Sequence, residues 1–324
     1  MEQTNLGRSG LKVSRLCLGT MNFGPFADEK ESHDIMDKAV ELGINFFDTA
    51  DVYGWKMGEG TTEKIIGSWF ENESSRRAKV VLATKVYGKM GDGPNDRGLS
   101  KHHIIRACED SLERLNTDRI DLYQMHHVER STPYEEIWEA MEKLVRDGKV
   151  LYIGSSNFAG WDIAKAQAAA DNRNFMGLIS EQHKYSLSCR LPELEVLPSC
   201  MDHGIGILPW SPLDGGILGG SAFNAKGKVR TADKLEQEKA DTLKTNIEEY
   251  YKFCTELNES PADVSIAWLL HNDAVTAPII GPRNEEQLKG IIRALEIKLD
   301  DESLRRIDDI WPGPGGAAPE AYAW

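Results

Sequence analysis

Eight apolar runs of strand length, beginning near Leu16, Ile44, Val80, Ile120, Val150, Leu178, Ile205 and Val275, alternate with stretches long enough for helices. That alternation is the pattern of repeated βα units around a parallel sheet. Eight repeats predict an α/β fold closed into a (β/α)8 TIM barrel. A chain of 324 residues suits such a barrel as one domain over 1–324, with 312–324 as a tail.

Local chemistry places helices between the strands. Ser32 to Leu42 puts Ile35, Met36, Ala39 and Val40 on one face and stops at Gly43. Ser100 is the expected cap of a second helix, whose inward stripe is Ile104, Ala107, Cys108, Ser111, Leu112 and Leu115. Pro133 suits the first turn of a third, with Glu135 and Glu136 at its positive dipole end and Ile137, Met141, Leu144 and Val145 facing inward. Residues Thr4 to Val13, with Gly-Arg-Ser-Gly at their centre, predict an N-terminal hairpin. Gly215 to Leu243, after the seventh strand, lacks a helical period and reads as a long loop. Pro312 to Pro319 can be neither helix nor central strand. This tail would either drape over a barrel mouth, with Tyr322 and Trp324 as apolar anchors, or end free.

Asp and Glu number 52 against 38 Lys and Arg, a formal charge of -14, which argues against a nucleic-acid or anionic-membrane partner. The five cysteines are odd in number and contain no Cys-x-x-Cys pair, so a reducing compartment is expected. The N-terminus lacks a basic head before an apolar core, and no apolar run has spanning length. Both observations predict a soluble, cytoplasmic protein.

Four polar residues sit at or just past strand ends: Asp48, Tyr53, Lys85 and His126. Any one alone would be an ordinary solvated position. A barrel, however, gathers its strand ends on one face, and together the four make chemical sense. A buried ammonium beside a phenol favours the phenolate, and a carboxylate holds the lysine. Tyr53 could then donate a proton near neutral pH, with His126 orienting the oxygen that receives it.

The strings Asp48-Thr49-Ala50-Asp51-Val52-Tyr53-Gly54, Ala83-Thr84-Lys85 and Asp121-Leu122-Tyr123-Gln124-Met125-His126 resemble signature segments of the aldo-keto reductase superfamily. The resemblance continues in order through Ile153-Gly154-Ser155-Ser156-Asn157-Phe158, Pro209-Trp210-Ser211-Pro212-Leu213 and Ile280-Gly281-Pro282-Arg283, and is strongest to a bacterial branch related to potassium-channel β-subunits. It implies NADPH-dependent reduction of an aldehyde or ketone by hydride transfer, with Tyr53 as general acid, Lys85 tuning it, Asp48 holding Lys85 and His126 polarising the carbonyl.

The same resemblance implies the cofactor contacts. Ser156, Asn157 and Gln182 would bind the nicotinamide carboxamide and Trp210 would stack on its ring. Ser211, Pro212, Leu213 and Gly215 would follow the pyrophosphate, and Gly19, Thr20, Met21 and Asp48 the ribose side. Gly281, Arg283 and Gln287 would hold the adenosine end, with Arg283 near the start of the last helix favouring NADPH over NADH. Arg230 is either a second phosphate ligand or a solvated charge. Relatives often carry Glu-Asn where this chain has Gly290-Ile291, and a Ser-Gly-Lys loop start where it has Gly219-Gly220-Ser221. There is no strand followed by Gly-x-Gly-x-x-Gly opening a helix, so no Rossmann domain is expected.

Trp55, Tyr87, His127 and Asp51 follow strand ends and could contact substrate together with Tyr53 and His126; Asp51 could equally be a surface residue. Adjacent histidines at 126–127 and 102–103 cannot chelate from one strand face, so no metal is expected. A metal-dependent hydrolase would need clustered ligands that this chain does not supply. Two readings remain: a reductase of small carbonyls or nucleotide-linked keto-deoxysugars, and a dinucleotide-binding, redox-sensing regulatory subunit with slow turnover. Oligomeric state is not legible.

Overall fold

The computed structural model describes residues 1–220 and 234–323. Two short strands, β1 (Gln3–Asn5) and β2 (Lys12–Ser14), pair antiparallel as the expected hairpin. Eight parallel strands follow: β3 (Cys17–Gly19), β4 (Phe46–Asp48), β5 (Val81–Val86), β6 (Ile120–Met125), β7 (Val150–Ser156), β8 (Leu178–Lys184), β9 (Gly206–Trp210) and β10 (Ile279–Ile280). From β3 to β9 each pairs with the next in chain order, and β10 returns to pair with β3. The last seam is narrow: Ile207 N–H donates to Ala274 C=O at 3.2 Å and Thr276 N–H to Ile207 C=O at 2.9 Å. The ring is therefore a nearly closed (β/α)8 barrel. The eighth strand is two residues long and starts after Val275, which contributes only an isolated bridge to Ile207.

The helices are α1 (Glu29–Glu41), α2 (Thr61–Asn72), α3 (Lys101–Arg114), α4 (Tyr134–Arg146), α5 (Gly160–Asp171), α6 (Val196–Asp202), α7 (Lys234–Thr242), α8 (Lys244–Glu256), α9 (Pro261–His271), α10 (Glu285–Ile291), α11 (Asp301–Ile310) and α12 (Glu320–Ala323). Their starts follow capping chemistry. Asp28 and Glu31 form a capping box that begins α1 three residues before Ser32, and the Ser100 side chain accepts from His103 N–H at α3. The inward stripes of α3 and α4 are buried, apart from a half-buried Val145.

Between the barrel and these helices lies the larger apolar core, which includes Leu16, Phe47, Trp69, Leu82, Tyr123 and Trp138. A second cluster fills the barrel interior, where Leu6 and Val13 of the hairpin pack with Cys17, Phe46, Val81, Leu122 and Leu208. The hairpin thus plugs one end and leaves the other, where strands finish, to the site. Gly19 ends β3 there because a Cβ would come within 2.6 Å of the Ile279 side chain.

The expected loop over 215–243 is helical from Lys234 to Thr242. That helix carries good helix formers, but no apolar stripe marks it in the sequence. It is tied down by an ion pair from Lys239 to the buried Asp214. Arg230 lies outside the described residues. The tail follows the loop after β8: Ala318 N–H donates to Leu194 C=O at 2.7 Å and Arg190 Nη1 to Trp311 C=O at 2.8 Å. Among the described residues no helix is long and apolar enough to cross a membrane.

Candidate active site

Asp48 ends β4, Lys85 is the penultimate residue of β5, and His126 directly follows β6. Tyr53 is carried by the turn after β4, fixed by Tyr53 N–H to Ala50 C=O at 3.2 Å and Thr62 N–H to Tyr53 C=O at 3.3 Å. Parallel strands bring these four together. Lys85 Nζ donates to Asp48 Oδ2 at 2.6 Å, to Thr49 C=O at 2.8 Å and to the Tyr53 hydroxyl at 3.1 Å. The Tyr53 and His126 rings meet edge-on at 5.8 Å.

Lys85 is completely buried, and an uncompensated ammonium there would be very costly. Burial pushes its pKa down, but Asp48 and Tyr53 push harder, and the result lies above the ordinary lysine value. His126 goes the other way: burial first, then the charges of Lys85 and His127, lower its imidazole to about 3. It is a neutral ring across the physiological range. The arrangement can thus offer a phenolic proton backed by a fixed cation, next to a neutral hydrogen-bonding imidazole.

Gln124 and Gln182 complete the Asp48 shell. Their amide nitrogens donate to Asp48 Oδ1 at 2.9 and 2.8 Å. Gln124 carries no signal of its own in the sequence beyond its place in the β6 motif, where it alternates with Leu122 and His126 as an inward position.

Tyr53, His126 and Asp48 line one end of a cleft of about 550 Å³. Its walls include Gly19, Thr20, Met21, Ser156, Asn157, Gln182, Trp210, Ser211, Pro212, Leu213, Gly215, Gly281, Arg283 and Gln287. All the expected cofactor positions among the described residues therefore share this cleft. Asn157 donates to His126 C=O at 3.0 Å and accepts from Trp210 Nε1 at 3.1 Å, so it fixes the indole beside the site. Ser211, Gly215 and Gly216 have positive φ of 51°, 70° and 105°, which folds the chain sharply along the cleft wall.

Two expectations are corrected, those for Asp51 and for the last helix. Asp51 is neither a surface nor a cleft residue: it is fully buried behind the site, with Oδ1 accepting from Val52 N–H at 2.7 Å and Oδ2 without a partner. Burial first, then Glu63, raises its pKa well above the usual carboxylate value. The helix after Arg283 is α10, seven residues long and followed by α11 and α12. In its first turn Gln287 N–H donates to Asn284 Oδ1, and just before the helix Arg283 N–H donates to Gln287 Oε1, each at 2.9 Å. Trp55, Tyr87 and His127, the expected substrate contacts, stand outside the lining of this cleft: Tyr87 stacks against the exposed His127 at 5.4 Å, and Trp55 is 64 % exposed against Phe26, which does line it. Among the described residues no group of three or more His, Cys, Asp or Glu could hold a metal.

The family model described as the aldo/keto reductase family matches residues 15–312. The chain belongs to the aldo/keto reductase family. Over its whole length it is 58 % identical to the uncharacterized oxidoreductase YrpG of Bacillus subtilis, covering all of both chains. It is 35 % identical to a probable voltage-gated potassium channel subunit beta of Arabidopsis thaliana over 92 % of each chain, and 31 % identical to the versiconal hemiacetal acetate reductase of Aspergillus parasiticus over 95 % and 96 %. As an aldo/keto reductase family member, it stands among oxidoreductases that act on carbonyl groups.

Proposed function

We propose that this protein reduces an aldehyde or ketone to an alcohol with NADPH, using Tyr53 as the proton donor. The observation that carries the reading is the contact of Lys85 Nζ with both Asp48 and the Tyr53 hydroxyl at the end of one long cleft. A bound reduced nicotinamide would supply hydride to the carbonyl carbon. Tyr53 gives its phenolic proton to the carbonyl oxygen, and the Lys85 ammonium stabilises the phenolate left behind. Tyr53 is partly exposed, so it can recover a proton from solvent. Neutral His126 hydrogen-bonds the same oxygen and fixes which face of the carbonyl is presented.

The cleft residues fit a dinucleotide. Gln182 uses its amide nitrogen on Asp48 and keeps Oε1 as an acceptor, while Ser156 accepts from Asn157 and keeps its own hydrogen to donate. Together they match the donor and acceptor of a carboxamide. The indole of Trp210 offers a face for the ring, and the positive-φ glycines at 215 and 216 bring backbone close to where a pyrophosphate would run. Arg283 lines the far arm and would bind the 2′-phosphate.

The deciding experiment is consumption of NADPH and NADH against a panel of aldehydes, ketones and nucleotide-linked keto-sugars. NADPH-dependent turnover supports the reading. The potassium-channel relative favours a second one, in which the bound dinucleotide is a redox signal for a partner. Tight NADPH binding without turnover across the panel would favour that alternative.

A further inference from the structure

The segment 20–27, between β3 and α1, is wedged between two others. On one side Asn22 Nδ2 donates to Gly281 C=O at 2.8 Å, and the guanidinium carbon of Arg283 lies 5.9 Å from the centre of the Phe26 ring. On the other, the Phe26 and Trp55 rings meet at 5.5 Å, inclined by 55°. A Cβ on Gly24 would lie 3.3 Å from Met57 Sδ, and Thr62 Oγ1 donates to Phe23 C=O at 3.1 Å. The segment also holds itself: Phe26 and Ala27 N–H both donate to Asn22 C=O, at 2.9 and 3.0 Å. Phe26 is therefore a fixed ring that touches the cofactor arm of the cleft and the turn beyond Tyr53 at once.

We propose that Phe26 is a positioning residue shared by the two halves of the site: it aims the Arg283 guanidinium at the 2′-phosphate of the dinucleotide and sets Trp55 at the edge where the carbonyl enters. The proposal rests on the NADPH reading above and names what gives that reading its selectivity. A guanidinium stacks by its face and donates by its edge, so the Phe26 ring orients Arg283 without consuming the donors a phosphate needs. Trp55 has the opposite requirement. It is largely exposed, at φ 50° between Gly54 (φ 149°) and Gly58 (φ 93°), and carries its indole out from the turn. Its ring contact with Phe26 orients the indole.

One residue thus links cofactor choice to substrate affinity. Phe26→Leu keeps apolar bulk in the segment and removes the aromatic face, and Phe26→Tyr restores it. Dissociation constants for NADP+ and NAD+, read from tryptophan quenching, and KM and kcat for the best carbonyl of the panel would be compared. In Phe26→Leu the NADP+ constant should rise about two- to fivefold, the size of one partly exposed cation–π contact, while NAD+ is unmoved. The carbonyl KM should rise with kcat nearly unchanged, because Asp48, Tyr53 and Lys85 are untouched. Phe26→Tyr should return both constants to the parent values. Equal weakening of NADP+ and NAD+, or no change in either, would overturn the role toward Arg283; an unmoved KM would overturn the role toward Trp55. Failure of the unaltered protein to bind either dinucleotide would overturn the cofactor reading itself, and this role with it.

Discussion

Lys85 Nζ lies 2.6 Å from Asp48 Oδ2, and neither side chain is more than 4 % exposed. The second oxygen of Asp48 accepts from two glutamine amides, which hold the carboxylate in its orientation toward Lys85. Each charge makes the burial of the other tolerable.

Breaking that pair should therefore cost more than an ordinary salt bridge. Lys85→Met is expected to lose about 3 to 5 kcal/mol of stability, because a buried carboxylate is left without its counter-charge. The double variant Asp48→Asn with Lys85→Met should lose less than Lys85→Met alone. Urea unfolding of the three proteins checks this; a single-variant loss below about 1 kcal/mol would mean that water reaches the pair.

Asp51 makes a prediction of opposite sense. Its pKa in the folded state is raised above the ordinary 3.8, so as pH climbs past about 4 the unfolded chain sheds this proton first and folding loses stability. Asp51→Asn keeps the acceptor for Val52 N–H and cannot ionise. The melting temperature of the variant relative to the parent should rise between about pH 4 and neutrality. A difference that is constant with pH would place the ionised carboxylate in water.

How much of this could be read from the chain alone follows from what kind of signal each feature leaves. Barrel strands leave apolar runs, and Asp48, Tyr53, Lys85 and His126 leave short ordered motifs, so both were legible. Asp51 stands inside one of those motifs, yet its raised pKa comes from burial and from the charge of Glu63, opposed by Arg114, which α2 and α3 bring to it. Phe26 gives no periodic signal because its partners, Trp55 and Arg283, are 29 and 257 positions away. The helix at Lys234–Thr242 is hidden for a third reason: polar helix formers without an apolar stripe look like loop.

His126 should stay neutral under assay conditions. With its pKa lowered to about 3 from an ordinary 6.5, its ring resonances should not titrate between about pH 8 and 5, whereas the same histidine in the unfolded chain would. The consequence for folding is a loss of stability as pH falls from about 6.5 toward 3, where the unfolded chain takes up the proton first. A His126 midpoint near 6.5 in the folded protein would show that Lys85 and burial do not act on it.

Arg283→Ala should weaken NADP+ by about 1.5 to 3 kcal/mol, the worth of a charge-assisted hydrogen bond, with little effect on NAD+. Calorimetric titration of both nucleotides separates the cases. Equal losses would put the 2′-phosphate elsewhere.

The most direct test of the whole mechanism is Tyr53→Phe, which removes one oxygen and leaves the Lys85–Asp48 pair in place. Turnover with the best carbonyl should fall about 10²- to 10⁴-fold, the usual contribution of a general acid, while the NADP+ dissociation constant stays within about twofold of the parent. Near-parent turnover with unchanged binding would contradict the assignment of Tyr53 as proton donor.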